Sequence, residues 1–208
     1  MHSESNIAFK EWAAVVESLA RGMYVLSLRK GGIHEKQGEF SVEHREYFLF
    51  PTYLHQRESD LAPAVLPLLA EARASVRDES QIPIRFYVTV ERAVYLDDLA
   101  LAHALDGLHP FTAAGVEARF HYKKPGLWAI VQRVYALPQA FLLENQRHYA
   151  GCRSWVPLVE SLSTAGAKPV LEETEFAKRL APIIKIIGPI RPIGPMTTYA
   201  PRPSPSPP

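Results

Sequence analysis

The chain is 208 residues long, 47% hydrophobic and 22% charged, which is the balance of a folded domain and not of a disordered chain. Its formal net charge of +1 excludes a global field that draws it to nucleic acid or membrane, so any such attraction is local. A single cysteine, Cys152, excludes an internal disulfide and a cysteine-rich zinc site, and suits a reducing, cytoplasmic setting.

The opening MHSESNIAFKEW has no basic stretch leading into an apolar core, so it does not read as a secretory signal. No apolar run approaches the roughly 18 residues of a membrane span, and a membrane is not an expected partner. Residues 7–21 read as a helix. Ala8, Trp12, Val15, Val16 and Leu19 make an apolar stripe at helical spacing, Asn6 can cap it, and Arg21-Gly22 end it. MYVLSLRK (23–30) reads as a strand stopped by Gly31-Gly32. YFLF (47–50) reads as a buried strand ended by Pro51, which cannot donate to a sheet ladder.

Residues 59–77 carry helical spacing at Leu61, Val65, Leu68, Leu69, Ala72 and Val76, and Pro67 predicts a kink or a late start. Residues 82–96 alternate as a half-buried strand. Ile84, Phe86, Val88 and Val90 face one way, and Arg85, Tyr87, Thr89 and Glu91 the other. Short helices are predicted over 97–105, capped by Asp97 or Asp98, and over 113–119. LWAIVQRVYAL (127–137) is the strongest strand, bounded by Pro125-Gly126 and Pro138.

From about residue 166 the composition shifts. Nine of the 18 prolines fall in residues 182–208, PIIKIIGPIRPIGPM repeats an Ile-Gly-Pro-Ile theme, and APRPSPSPP is of low complexity. Such a segment is expected to be extended and outside the core, as a plain disordered end or as a docking peptide for a proline-recognising partner. The expected division is a globular domain over 1–165 and a tail over 166–208.

Four pieces, FKEWAAVVESLARG, LSLRKGGIHE, EFSVEHREYFLFPTYLHQ and GCRSWVPL, together resemble a bacterial family known as domain of unknown function 1802. The resemblance runs from about residue 7 to residue 160. Arg29, Lys30, Glu43, His44, Arg45, Glu46, Pro51, Tyr53, His55, Gln56, Gly151, Arg153 and Trp155 fall on its recurring motifs. LHPFT (108–112) departs from an expected aromatic, often tryptophan, before the threonine; Phe111 stands in that role. The resemblance implies a setting near DNA restriction, with a nuclease as a partner. It implies no catalytic residue.

The residues themselves bear on several chemistries. His34, His44 and His55 with Glu35, Glu39, Glu43 and Glu46 offer metal-ligand atoms, but no His-Glu-x-x-His or calcium-loop spacing appears, so no metal is assigned. No Asp or Glu is followed two places later by Lys, and Glu43-His44-Arg45 and Glu117-Ala118-Arg119 put an ever-protonated arginine there, which argues against a restriction-type nuclease. Cys152 beside Arg153 reads as packing before it reads as a nucleophile. No phosphate loop and no dinucleotide fingerprint implies a cofactor.

Two constellations remain. In residues 117–153, Arg119, Lys123, Lys124, Arg133, Arg147 and Arg153 stand against Glu117 and Glu144, a local charge of +4, with Tyr122, Trp128, Tyr135, Tyr149 and Trp155 interleaved or adjacent. Cations neutralise phosphates and aromatic faces stack on unpaired bases; the alternative is a wet surface over a core. In residues 29–56, Arg29 and Lys30 suit an anion, and Gln56 suits an amide or base edge. His44 or His55 suits proton transfer with Glu46, and Glu43, Arg45 and Tyr53 complete the polar rim. The alternative is that these groups satisfy one another.

The expected fold is α+β: one domain with a small mixed or antiparallel curved sheet, open-barrel-like, flanked by three or four helices. The first expected function is a non-enzymatic nucleic-acid or modified-base recognition module. The alternatives are a hydrolase or transferase acting on a small anionic substrate through the 29–56 cluster, and a scaffold protein.

Overall fold

IAFKEW (7–12), expected to begin a helix, belongs to a strand in the computed structural model: β1 spans Glu4–Trp12, and the helix α1 follows only at Ala13–Ala20. Ala8 and Phe9 are both buried because β1 lies inside a sheet with both faces covered. That produces an apolar pattern which a helical stripe also fits. The structure describes residues 1–30, 44–53, 56–76, 78–151 and 153–188. His34, Glu35, Glu39, Glu43, His55, Cys152, the Gly31-Gly32 turn and the end from residue 189 lie outside the described residues.

Strands β2 (Leu26–Arg29) and β3 (Glu46–Thr52) follow, and Pro51 sits within β3, opposite Glu11 of β1. The helix α2 starts late, at Leu66–Ala74, with Pro67 in its first turn, where a missing N–H costs nothing. The strand β4 is Gln81–Leu96, and α3 is Leu99–Ala104, capped by Asp98. The helix α4 is Ala113–His121, and β5 is Leu127–Glu144, running on through Pro138. Strands β6 (Trp155–Ser163) and β7 (Lys168–Pro169) lead to α5, Glu173–Ile187.

The seven strands form one mixed sheet in the order β2-β5-β4-β3-β1-β6, with β7 also on β5. Strands β1 and β3 are parallel; the other pairs are antiparallel. Neighbouring residues divide between the faces. Phe9, Leu28, Tyr47, Leu49, Val88 and Val131 belong to a core shared with α1, α4 and α5, whereas Ala8, Phe48, Phe50, Tyr87, Val156 and Leu158 belong to a second core on the other face. Bulges between Ile84 and Phe86 and between Val90 and Arg92 interrupt the long β4–β5 pair; such bulges bend a strand and increase its twist. The curved sheet is as expected, with five α-helices among the described residues against an expected three or four.

The expected domain boundary at 165 is corrected. Phe176 and Ile183 of α5 are buried in the main core, and Arg133 on β5 pairs with Glu173 at 2.7 Å while lying 4.0 Å from the centre of the Phe176 ring. Proline content misplaced this boundary, because Pro182 lies inside α5.

Candidate functional site

Arg29 joins the two ends of the sheet. It closes β2, at one end of the strand order, yet its Nη1 donates to Glu11 Oε1 on β1 and its Nη2 to Ser154 Oγ just before β6, each at 3.2 Å. Its guanidinium lies 4.6 Å from the centre of the Phe9 ring. The next residue, Lys30, turns to the α4–β5 connection. Its Nζ donates to the carbonyls of Phe120 at 3.2 Å, Gly126 at 2.7 Å, and Lys124. Arg29 and Lys30 therefore bring one end of the 29–56 cluster against the 119–155 stretch at one mouth of the curved sheet.

Glu11 is the buried centre of this mouth, with a side chain 2% exposed. A helical reading places it off the apolar stripe; on a strand it follows Phe9 by two and shares that residue's face. Its Oε1 accepts from the Trp12 N–H at 2.8 Å and from Arg29. Its Oε2 has no hydrogen-bond partner among the described residues.

Trp12 extends the cluster to α4. The Arg119 guanidinium lies 4.4 Å from the Trp12 ring centre and 4.2 Å from that of Phe111, and donates to Asp60 Oδ2 at 3.1 Å. Burial lowers the Arg119 guanidinium from its ordinary value, Asp60 and then Glu11 oppose that, and Arg29 adds to it. Two arginines and two carboxylates thus share one electrostatic neighbourhood. Thr112 caps α4 by accepting from the Gly115 N–H, and a Cβ on Gly115 would stand 2.7 Å from the Asp60 carbonyl oxygen, so only glycine lets α4 approach so closely.

Aromatic rings fill the space beside Arg29. Trp155 stands with its ring centre 4.7 Å from Phe9, 5.2 Å from Tyr47 and 5.0 Å from His44. The Tyr47 hydroxyl donates to Gln132 Oε1 at 3.0 Å in the interior. Burial, and then Glu11, push its phenol up, with Arg29 opposing.

The other candidates separate. Glu46 lies on the far face, where it accepts from the His2 N–H at 2.7 Å and the Tyr87 hydroxyl at 2.9 Å. Burial raises its carboxyl, but these bonds and the N-terminal ammonium outweigh that and hold it low. His44, with its ring against Trp155, precedes β3 and does not share a strand face with Glu46. Gln56 is a helix cap: its Oε1 accepts from the Ala14 N–H at 3.3 Å and its Nε2 donates to the Thr52 carbonyl at 2.8 Å. Tyr53 sits beside Arg85 and Glu17; burial pushes its phenol up. Arg45 is exposed, its carbonyl accepting from the Val90 N–H at 2.7 Å. Arg133 is an anchor for α5. Lys123, Lys124 and Arg153 are exposed on the rim. Arg153 lines, with Lys10, His148 and Trp155, a groove of about 160 Å³ at the start of β6. Among the described residues no group of three or more His, Cys, Asp or Glu is placed to hold a metal.

The family model described as Domain of unknown function (DUF1802) matches residues 8–181. The chain belongs to this family. The match extends into α5, past the end near residue 160 expected from the motifs alone. No curated protein matches the chain. Three crystal structures of ASCH from Zymomonas mobilis, the protein itself and two point mutants, are similar. They give TM-scores of 0.39 to 0.42 and 10 or 11% identity, and cover 84 to 87% of this chain and 92 to 98% of theirs. No helix among the described residues of this DUF1802 protein is long and apolar enough to cross a membrane.

Proposed function

We propose that this protein is a recognition module for unpaired nucleic acid, bound at the mouth that Arg29 closes. The observation that carries this reading is the meeting there of Arg29, Lys30 and His44 with Lys124, Ser154 and Trp155. Lys30 ties the Lys123-Lys124 turn to one side of the mouth, and Arg29 ties Ser154, with Arg153 beside it, to the other. Exposed cations thus flank the half-buried rings of Trp155 and His44. Phosphates are held by rim charges and bases by aromatic faces. The nuclease partner implied by the family's setting belongs to the same proposal: the module supplies binding and the partner supplies cleavage.

The test is fluorescence anisotropy of the full chain with single-stranded DNA, duplex DNA and RNA across a salt series. The expected result is binding to single strands that weakens as salt rises. It should fall at least tenfold when Lys123, Lys124 and Arg153 are all replaced by Glu. Absence of binding at low salt overturns the proposal. The full chain is required, because a domain cut at residue 165 loses the core residues of α5.

A further inference from the structure

Glu11 Oε2 is a buried acceptor of the mouth whose chemistry the described residues leave unfinished. Burying a carboxylate is costly unless its lone pairs are met. Here one oxygen is met twice, by the Trp12 N–H and by Arg29, while the other has no partner among the described residues in a side chain 2% exposed. The cluster still reaches the surface, since the Arg29 side chain that shares Oε1 is 17% exposed. An acceptor in this condition calls for a ligand that brings a donor.

Resting on the reading above, we propose that Glu11 Oε2 reads the exocyclic amine of an unpaired nucleobase, cytosine or adenine. A carboxylate accepts from such an amine in base recognition. An exocyclic amine projects from the ring and can reach a recessed atom. The ring N–H of thymine or uracil is flanked by two carbonyl oxygens, which a buried anion repels. Guanine offers two adjacent donors suited to both oxygens of a carboxylate, but Oε1 is already occupied. Arg29 donates to Glu11 directly, and Arg119 lies within its electrostatic reach.

The experiment measures binding of the full chain to oligo-dC, oligo-dA and oligo-dT of one length, and repeats it with Glu11→Gln. Competition by cytidine and by its analogue lacking the 4-amino group needs no variant and runs alongside. The expected result is about tenfold tighter binding of the amino-bearing strands, and competition by cytidine but not by the analogue. In Glu11→Gln the preference should disappear while the salt dependence stays. Salt-dependent binding with no preference among the strands overturns this inference and leaves the recognition reading standing. No binding to any strand overturns the recognition reading and this inference with it. If Glu11→Gln fails to fold, the competition arm decides alone: equal competition by cytidine and the analogue overturns the assignment.

Discussion

Arg29 and Glu11 stand 3.2 Å apart although their strands lie at nearly opposite ends of the sheet order. The pair substitutes for the backbone ladder that a closed barrel would have there. It holds β2 against β1 and, through Ser154, against the start of β6. Removing one partner leaves a nine-tenths-buried charge uncompensated, which costs about 3 kcal/mol. Arg29→Met is therefore expected to lower the free energy of urea unfolding by about that amount. The double variant Arg29→Met with Glu11→Leu should recover most of the loss, because a well-packed apolar pair avoids the burial of charge altogether. Equal stability of the single and double variants would show that the two residues are not coupled.

Gln56 gives a contrasting expectation. Trp12, the residue before α1, has no side-chain hydrogen bond to the helix, and Gln56 supplies it from elsewhere in the chain by accepting from the Ala14 N–H. Loss of such a cap costs about 1 kcal/mol. Gln56→Ala is expected to unfold at correspondingly lower denaturant while its oligonucleotide affinity at fixed salt stays unchanged. A fall in affinity with unchanged stability would return Gln56 to the role of a base reader.

The strand β4 and the first part of β5 fall where their patterns place them along the chain, but the bulge between Ile84 and Phe86 puts Ile84 with the fully buried Tyr87 in the second core and not with Val88 and Val90. The early strand β1 was not legible, because a strand buried on both faces loses its period of two. Its apolar residues then run on into α1 with helical spacing. That one error hid Glu11, whose place beside Phe9 on an inward face follows at once from a strand reading. The basic stretch was recognised by charge, but charge does not distinguish Lys123 on the rim from Arg119, stacked between Trp12 and Phe111, or from Arg133, held by Glu91 and Glu173. Those roles depend on partners far away in sequence.

The helix α5 makes the third expectation. Phe176 and Ile183 are 3% and 1% exposed, and burial of such side chains contributes about 2 kcal/mol each. A chain ending at residue 165 is expected to lose at least about 4 kcal/mol relative to the full chain, a large share of the roughly 5–15 kcal/mol that holds a domain folded. Circular dichroism and urea titration of the two chains check this. Arg133→Ala in the full chain should show a smaller loss, because it frees Glu173 without exposing the core. A truncated chain as stable as the full one would show that α5 is a dispensable appendage.

His109 carries the last expectation. It is fully buried, with its Nδ1 accepting from the Phe111 N–H at 3.2 Å and its Nε2 without a hydrogen-bond partner among the described residues. Burial pushes its pKa down to about 4, with Asp106 opposing. The group is therefore neutral in the folded protein across a range where the unfolded chain, near 6.5, takes up a proton. Stability from this residue is full above about pH 6.5 and is lost as pH falls toward 4, because protons then favour the unfolded state. At roughly 1.4 kcal/mol per pKa unit, the loss approaches about 3 kcal/mol by the bottom of that window. His109→Asn keeps an acceptor near the Nδ1 position and removes the titration. Urea unfolding at intervals between pH 4 and pH 7 is expected to show a shallower decline for His109→Asn than for the native chain, the gap opening below pH 6.5. Parallel curves for the two would mean that His109 titrates alike in the folded and unfolded chains, so that its burial carries no pH dependence.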